Sequence, residues 1–137
     1  MIVADTGALI ALLDRSDRHH DSIRLLYTAD PDAWVLPWAI LPEVDYLTSA
    51  HLGQRAHELW LADLASGAFS VEWGRPDDLS AAERICRRHK ALRIGLVDAV
   101  VIAVAERLRA PAIATLDLRH FGAIVSKGRR KLLPRDA

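Results

Sequence analysis

The sequence predicts an α/β fold in which a mostly parallel sheet is covered by helices. Short apolar runs alternate with longer helical patterns along almost the whole chain. This alternation is typical of parallel strands joined by crossover helices. A second observation is the segment 95–117, where residues 96–105 are apolar except for Asp98. Such a run predicts a helix buried on most sides, and the apolar run at 112–115 predicts a buried strand after it.

Length and composition indicate one domain over residues 1–137. The chain has 137 residues, of which 51% are hydrophobic and 26% are charged, and this suits one globular core. Its apolar runs are far shorter than the ~18 residues of a spanning helix, so no membrane contact is expected. Because Cys86 is the single cysteine and a strand pattern begins at Ile2, we expect a cytoplasmic protein without a signal peptide.

The net charge of zero conceals an uneven distribution of charge. Residues 1–80 hold 13 Asp and Glu against 5 Lys and Arg, a balance of −8, whereas residues 81–137 hold 5 against 13, a balance of +8. A chain divided in this way can present an acidic site beside a basic surface. Salt bridges between the two halves would explain the same pattern equally well.

The first elements place an acid at the end of a strand. Residues 2–4 form the expected first strand, Asp5 follows it directly, and a helix over 8–13 comes next. Asp5 is therefore either an N-cap of that helix or a site residue. The other predicted elements are a helix at 17–27, a strand at 33–36, a helical hairpin of 38–52 and 54–65, a strand at 69–73, a helix opened by a capping box at 80–83, a short helix or turn at 118–122 and an edge strand at 131–133. In the second helix of the hairpin, the predicted buried face consists of Ala56, Leu59, Trp60 and Leu64.

Four acids share one local setting. Asp5 and Asp117 follow predicted strands, whereas Glu43 and Asp98 lie in the first turns of predicted helices. In a parallel α/β sheet, strand C-termini and helix N-termini meet at the same edge, and ligands bind there where the strand order reverses. The sequence therefore predicts that all four acids converge on one cleft. For Glu43 the alternative is a favourable interaction with the helix dipole.

Convergence of these acids would require a compensating charge. Two carboxylates about 5 Å apart repel each other by roughly 3 kcal/mol at an effective dielectric constant near 20. Either some of them are protonated, or a cation lies between them. Oxygen ligands favour Mg²⁺ or Mn²⁺, and the six histidines show no spacing typical of a zinc site. Such a cation can hydrolyse a phosphodiester by activating water and stabilising the leaving oxygen.

Four segments of the sequence resemble the PIN-domain ribonucleases, and the VapC toxins of type II toxin–antitoxin pairs most of all. Residues 3–9 resemble the strand–Asp–Ser/Thr start of the family, 41–44 its glutamate segment, 96–103 its L-x-D-A helix, and 115–121 its ending with T-x-D followed by Phe. The segments occur in the family's order and span nearly the whole chain. Gly7 departs from the pattern, since many relatives carry Ser or another small residue there.

The resemblance implies a PIN-like three-layer α/β/α sandwich with a mostly parallel, about five-stranded central sheet. It implies a Mg²⁺- or Mn²⁺-dependent endoribonuclease that hydrolyses RNA, such as tRNA or rRNA. It also implies a homodimer that is silenced by a cognate VapB-like antitoxin. By position, the catalytic and metal-binding residues would be Asp5, Glu43, Asp98 and Asp117, with Thr6 and Thr115 orienting ligands or water.

Basic residues of the second half are candidates for RNA contact, because the acids by themselves would repel phosphates. A solvated helix face is the alternative interpretation. His19, His20 and His120 are interpreted as loop residues rather than general bases. An RNA-processing nuclease outside toxin–antitoxin systems and a non-catalytic nucleic-acid-binding module remain alternative functions. The candidate RNA-contacting residues are Arg84, Arg87, Arg88, Lys90, Arg93, Arg119 and the basic cluster at 127–131.

Overall fold

A computed structural model of the protein, which describes residues 1–125 and 129–137, contains a five-stranded parallel sheet. The strand order is β3-β2-β1-β4-β5, and every neighbouring pair is parallel. The order reverses between β1 and β4, so a crevice is expected at the carboxyl ends of these two strands. The strands are β1 (Ile2–Ala4), β2 (Trp34–Pro37), β3 (Ser70–Glu72), β4 (Ala112–Ala114) and β5 (Lys131–Leu133).

Seven α-helices cover both faces of this sheet in the described chain. Val3 and Ala4 are consecutive in β1 and both are fully buried. Because consecutive strand residues point to opposite faces, each face must be covered, which confirms the three-layer PIN-like arrangement. The helices are α1 (Thr6–Leu13), α2 (His20–Ala29), α3 (Leu41–His51), α4 (Gln54–Ser66), α5 (Pro76–Arg88), α6 (Leu96–Arg107) and α7 (Leu118–Ile124).

Helix α6 is the central helix of the core, as its sequence predicts. Its residues from Ala99 to Ala105 are all buried, and the helix contacts α5, β1 and β2. The Arg130 guanidinium donates hydrogen bonds to the carbonyls of Ala105 and Ala110, which lie at and just beyond the last turn of α6. Among the described residues, no helix is both long enough and apolar enough to cross a membrane.

Two details of the sequence prediction are wrong. Helix α5 begins at Pro76 rather than near Ser80, because the Asp78 carboxylate accepts a hydrogen bond from the Arg75 amide at 2.9 Å and caps an earlier first turn. Leu59 is 48% exposed instead of facing the core. Trp60 is the buried residue at the centre of the inner face of α4, and the preceding position lies about 100° away around the helix.

A buried ion-pair cluster joins three elements on one side of the molecule. Arg107 of α6 donates from Nε to Asp78 Oδ1 at 2.7 Å and from Nη2 to Glu72 Oε1 at 2.8 Å. The side chain of Asp78 is only 2% exposed. Hydrogen bonds from Arg107 keep the pKa of Asp78 below its ordinary value. The cluster therefore fixes α6 against α5 and the end of β3.

Replacing Arg107 with alanine should destabilise the protein by about 3–5 kcal/mol, because an unpaired carboxylate would stay buried at Asp78. The matched control is Arg87→Ala, which removes an exposed pair with Glu83 at 3.4 Å and should change stability by less than about 1 kcal/mol. Urea unfolding of both variants measures the difference. Equal losses in the two variants would contradict the assignment of Arg107 as a structural anchor.

Candidate active site

Asp5 lies at the reversal of strand order, immediately beyond β1. Its amide donates to the carbonyl of Ala114 in β4 at 2.9 Å. Its carboxylate accepts hydrogen bonds from the Thr6 amide at 2.7 Å and from Thr115 Oγ1 at 2.9 Å. The residue is only 5% exposed. Asp5 therefore is the N-cap of α1 and at the same time a buried carboxylate at the crevice.

Thr115 connects two of the predicted site acids. Its hydroxyl donates to Asp5 Oδ2 and accepts a hydrogen bond from the Asp117 amide at 3.0 Å. Asp117 caps α7, and its Oδ1 accepts from the His120 amide at 3.1 Å. The Thr6 hydroxyl, in contrast, is buried with no hydrogen-bond partner among the described residues. The two threonines thus differ. Thr115 contacts Asp5 and Asp117 through its hydroxyl, whereas Thr6 contacts Asp5 only through its backbone amide.

Asp98 and Asp117 meet around the ring of His120. His120 Nδ1 lies 3.5 Å from Asp98 Oδ2 and 3.1 Å from Asp117 Oδ2. One ligand atom from each of these three residues lies within 4.8 Å of the other two. The interpretation of His120 as a loop residue missed this position. The available signal was its spacing, because a residue three positions after Asp117 shares the same helix face.

The electrostatic field of the crevice opposes ionisation of Asp5. Burial is the largest cause, followed by the charge of Asp98, and together with Asp117 they raise the pKa of Asp5 to about 7. Hydrogen bonds from Thr115 and Thr6 act in the opposite direction. A carboxyl with such a pKa in a cleft is a recognised mark of a functional site.

Asp98 experiences the same field less strongly. Burial raises the pKa of Asp98, and the negative charges of Asp117 and Glu43 raise it further, while His120 lowers it. Glu43 lies in the first turn of α3, as predicted, and it is exposed. The structure therefore brings Asp5, Asp98 and Asp117 together in the crevice, with Glu43 acting on Asp98 through its charge.

These residues fit a divalent cation by the chemistry of their donors. Carboxylate oxygens from Asp98 and Asp117 and the unpartnered ring nitrogen of His120 face one another. A cation among them would offset the repulsion that raises the pKa of Asp5. Carboxylates with an imidazole are ligands for Mn²⁺ and related metals, and carboxylates with water are ligands for Mg²⁺.

The six candidate RNA-contacting residues outside the predicted cluster at 127–131 are all exposed. Arg119 lies in the first turn of α7, two residues after Asp117. Arg88, at the end of α5, lines a cavity of about 420 Å³ together with Arg129 and Arg130. The predicted basic cluster at 127–131 lies partly outside the described residues. The exposed candidates are Arg84, Arg87 and Arg88 of α5, Lys90 and Arg93 after it, and Arg119 of α7.

Residues 2–125 match the PIN domain family. The chain belongs to this family. It is also 32% identical over 135 residues to Ribonuclease VapC26 of Mycobacterium tuberculosis, a match that covers 97% of this chain and all of that protein. The resemblance to PIN-domain ribonucleases of the VapC type is thereby confirmed.

Three solved structures share the fold of this PIN domain. Mycobacterium tuberculosis VapC20, a toxin that cleaves the sarcin–ricin loop, superposes with a TM-score of 0.80 at 24% identity, over 90% of this chain and 95% of that one. A toxin–antitoxin complex from Klebsiella pneumoniae gives 0.70 at 19% identity, over 91% and 93%. FitAcB from Neisseria gonorrhoeae gives 0.69 at 15% identity, over 100% of both chains.

The pKa of Asp5 predicts a pH dependence of stability in the metal-free PIN domain. Since its pKa rises from 3.8 to about 7 on folding, folding binds a proton, and stability is lost as the pH rises between these values. A pKa raised by about three corresponds to roughly 4 kcal/mol at most. Asp5→Asn should remove this loss and be more stable than wild type at pH 8.

Urea unfolding between pH 4 and pH 8 in the presence of EDTA measures this effect. Asp45→Asn, which changes an acid of α3 that pairs with His57 at 2.8 Å, is the matched control and should retain the Asp5-linked loss. Parallel pH profiles for wild type and Asp5→Asn would show that Asp5 does not titrate as described.

Proposed function

We propose that this protein, as a single PIN domain over residues 1–137, is a Mg²⁺- or Mn²⁺-dependent endoribonuclease and the toxin of a VapC-type toxin–antitoxin pair. One observation carries the proposal. Asp5 after β1, Asp98 in α6 and Asp117 after β4 meet in a crevice where the strand order reverses. Burial and neighbouring negative charges raise the pKa values of Asp5 and Asp98, and a cleft lined by such acids is suited to a cation and its chemistry.

Each acid has a role that follows from its setting. Asp98 and Asp117 would hold the cation directly, because their carboxylates face each other across His120. Asp5, fixed by two hydrogen bonds, would complete the negative site from its buried side. Glu43 is exposed and would act on the cation or on bound water from the solvent side.

Residues of the chain would position the RNA so that the P–O3′ bond is the bond that breaks. A bound divalent cation supplies an activated water and stabilises charge on the leaving oxygen. In-line attack on phosphorus breaks the bond to the 3′ oxygen, which takes up a proton, so the products are a 5′-phosphate and a 3′-hydroxyl. Thr115 keeps Asp5 and Asp117 in a fixed relation during this step, since it hydrogen-bonds to both.

The substrate class we propose is a structured RNA, either rRNA or tRNA. The related VapC20 toxin cleaves the sarcin–ricin loop, which is an rRNA element. In this chain, Arg119 in the first turn of α7 would neutralise phosphates near Asp117, and Arg88 with Arg129 would do so at the 420 Å³ cavity, which lies at the C-terminal end of α6, opposite Asp98. Arg119 would counteract the repulsion that the acids exert on RNA, and the cavity would bind a more distant phosphate of the same strand.

We further propose a homodimer and a VapB-like antitoxin partner. The similar Klebsiella pneumoniae structure is a toxin–antitoxin complex. In this chain, helices α2 to α4 expose large apolar side chains, which is a common property of surfaces that bind other proteins. The exposed residues are Leu25, Tyr46, Leu59 and Leu61.

Asp98→Asn should reduce cleavage of total cellular RNA by at least ~100-fold, because it removes a metal-facing carboxylate without changing side-chain size. EDTA should do the same to the wild type, and added Mn²⁺ or Mg²⁺ should restore activity. Asp45→Asn is the matched control and should cleave like the wild type. Metal-independent cleavage by Asp98→Asn would contradict the proposed mechanism. If the wild type bound RNA without cleaving it, a non-catalytic binding module would be the better interpretation.

The double variant Arg88→Ala, Arg129→Ala should bind RNA more weakly, with a similar loss for all sequences. Each phosphate contact removed should lower the slope of log K against log salt by about 1. Filter binding in an Asp98→Asn background measures this without cleavage. Arg15→Ala, Arg24→Ala, which removes two exposed arginines of the acidic half, is the control. If the slope of log K against log salt were unchanged in Arg88→Ala, Arg129→Ala, the cavity would not contact RNA.

A further inference from the structure

His120 lies inside the acidic crevice, although a water-activating site built from carboxylates does not require a histidine. Its Nδ1 is buried and has no hydrogen-bond partner of acceptable geometry among the described residues. The same atom nevertheless lies 3.1 Å from Asp117 Oδ2 and 3.5 Å from Asp98 Oδ2. A buried polar atom directed at two carboxylates without a hydrogen bond needs another partner.

The backbone fixes the point from which the His120 side chain extends. The His120 amide donates to Asp117 Oδ1, which is the cap of α7. The next residue, Phe121, is fully buried in the core. The first turn of α7 is therefore held in place, and from it the His120 ring reaches both carboxylates.

The donor spacing is that of ligands around one metal ion. Donors about 2.1–2.2 Å from an octahedral cation lie about 3.0 Å apart when adjacent and about 4.3 Å apart when opposite. The two separations at His120 Nδ1 are 3.1 and 3.5 Å, and the three-residue group lies within 4.8 Å overall. Small movements of the side chains would bring all three donors onto one ion.

An ordinary hydrogen bond from the ring is a poorer explanation of the same geometry. Nδ1 lies within hydrogen-bonding distance of Asp117 Oδ2, but it makes no well-aligned hydrogen bond to a described residue. A metal instead needs the lone pair of Nδ1, with the ring proton on Nε2. The ligand interpretation therefore accounts for both the short distances and the absent hydrogen bond.

We propose that His120 Nδ1 is a direct ligand of the active-site cation and that this nitrogen makes the site prefer Mn²⁺ to Mg²⁺. The inference rests on the proposed metal-dependent function and adds a residue to its site. Mg²⁺ is bound mainly through oxygen, whereas later divalent metals of the first row accept imidazole more readily. A site of two carboxylates and one imidazole therefore binds Mn²⁺ more tightly than Mg²⁺. A site made only of carboxylates and water discriminates far less between the two ions.

Mn²⁺ binding to the metal-free full chain tests the proposal without reference to activity. Pulsed EPR of the Mn²⁺-loaded wild type should show coupling to an imidazole nitrogen. His120→Ala should lose this coupling and bind Mn²⁺ at least ~10-fold more weakly by calorimetry, with a much smaller change for Mg²⁺. His89→Ala, which alters a histidine at the end of α5, should keep both the coupling and the affinity.

A second variant guards against loss of folding. His120→Asn retains a polar side chain and offers an amide oxygen, so it should lose the nitrogen coupling yet bind Mg²⁺ like the wild type. Thermal unfolding of the metal-free variants checks that each is folded.

Wild type that binds Mn²⁺ without nitrogen coupling would overturn the assignment of His120, and so would equal losses for Mn²⁺ and Mg²⁺ in His120→Ala. The proposed function would survive either result if Asp98→Asn still abolished metal binding. Wild type that binds neither ion would overturn both proposals.

Discussion

The constraint on which this structure depends is the forced proximity of carboxylates where the parallel sheet reverses its strand order. Asp5 is held there by its own backbone pairing with β4 and by hydrogen bonds from Thr6 and Thr115. Burial and the charge of Asp98 raise its pKa to about 7, although these hydrogen bonds act in the opposite direction. The molecule carries this unfavourable burial at its crevice, which is typical of a site kept for function rather than for stability.

The surrounding architecture supports that centre from several directions. Helix α6 is buried almost throughout and contacts β1 and β2, so the depth of Asp98 in the crevice is set by core packing. At the far end of the same helix, Arg107 is anchored to Asp78 and Glu72. Arg130 binds the carbonyls beyond its last turn. These contacts hold α6 in a fixed position against the sheet. The position of Asp98 relative to Asp117 is therefore fixed as well.

A divalent cation bound at the crevice, as we propose, would resolve the electrostatic conflict that the fold creates. In the metal-free protein, burial and the charge of Asp98 favour protonation of Asp5, and stability falls as the pH rises. With the cation bound, the same carboxylates would become ligands, and metal binding would offset the free energy that opposes their burial. The uneven charge of the chain is compatible with the proposed function, because the basic second half would supply Arg119 near the acids for an anionic substrate.

The sequence by itself determined the fold class and the family, and it predicted four acids for the site. Apolar runs and their spacing report burial directly, so the buried α6 and the parallel strands were predictable from local pattern. The start of α5 was not, because its cap at Asp78 is stabilised by Arg107, 29 residues away in the chain. The exposure of Leu59 likewise followed from which face of α4 meets the core.

The tertiary structure decided how the site is composed. The sequence could place Asp5 and Thr115 at strand ends, but the hydrogen bond between them joins residues 110 positions apart. The spacing of three residues could place His120 beside Asp117, but Asp98 comes from a different helix and is brought to His120 only by packing. Local patterns encode which residues are buried and where strands end. Which side chains face one another across a crevice depends on how the elements are assembled.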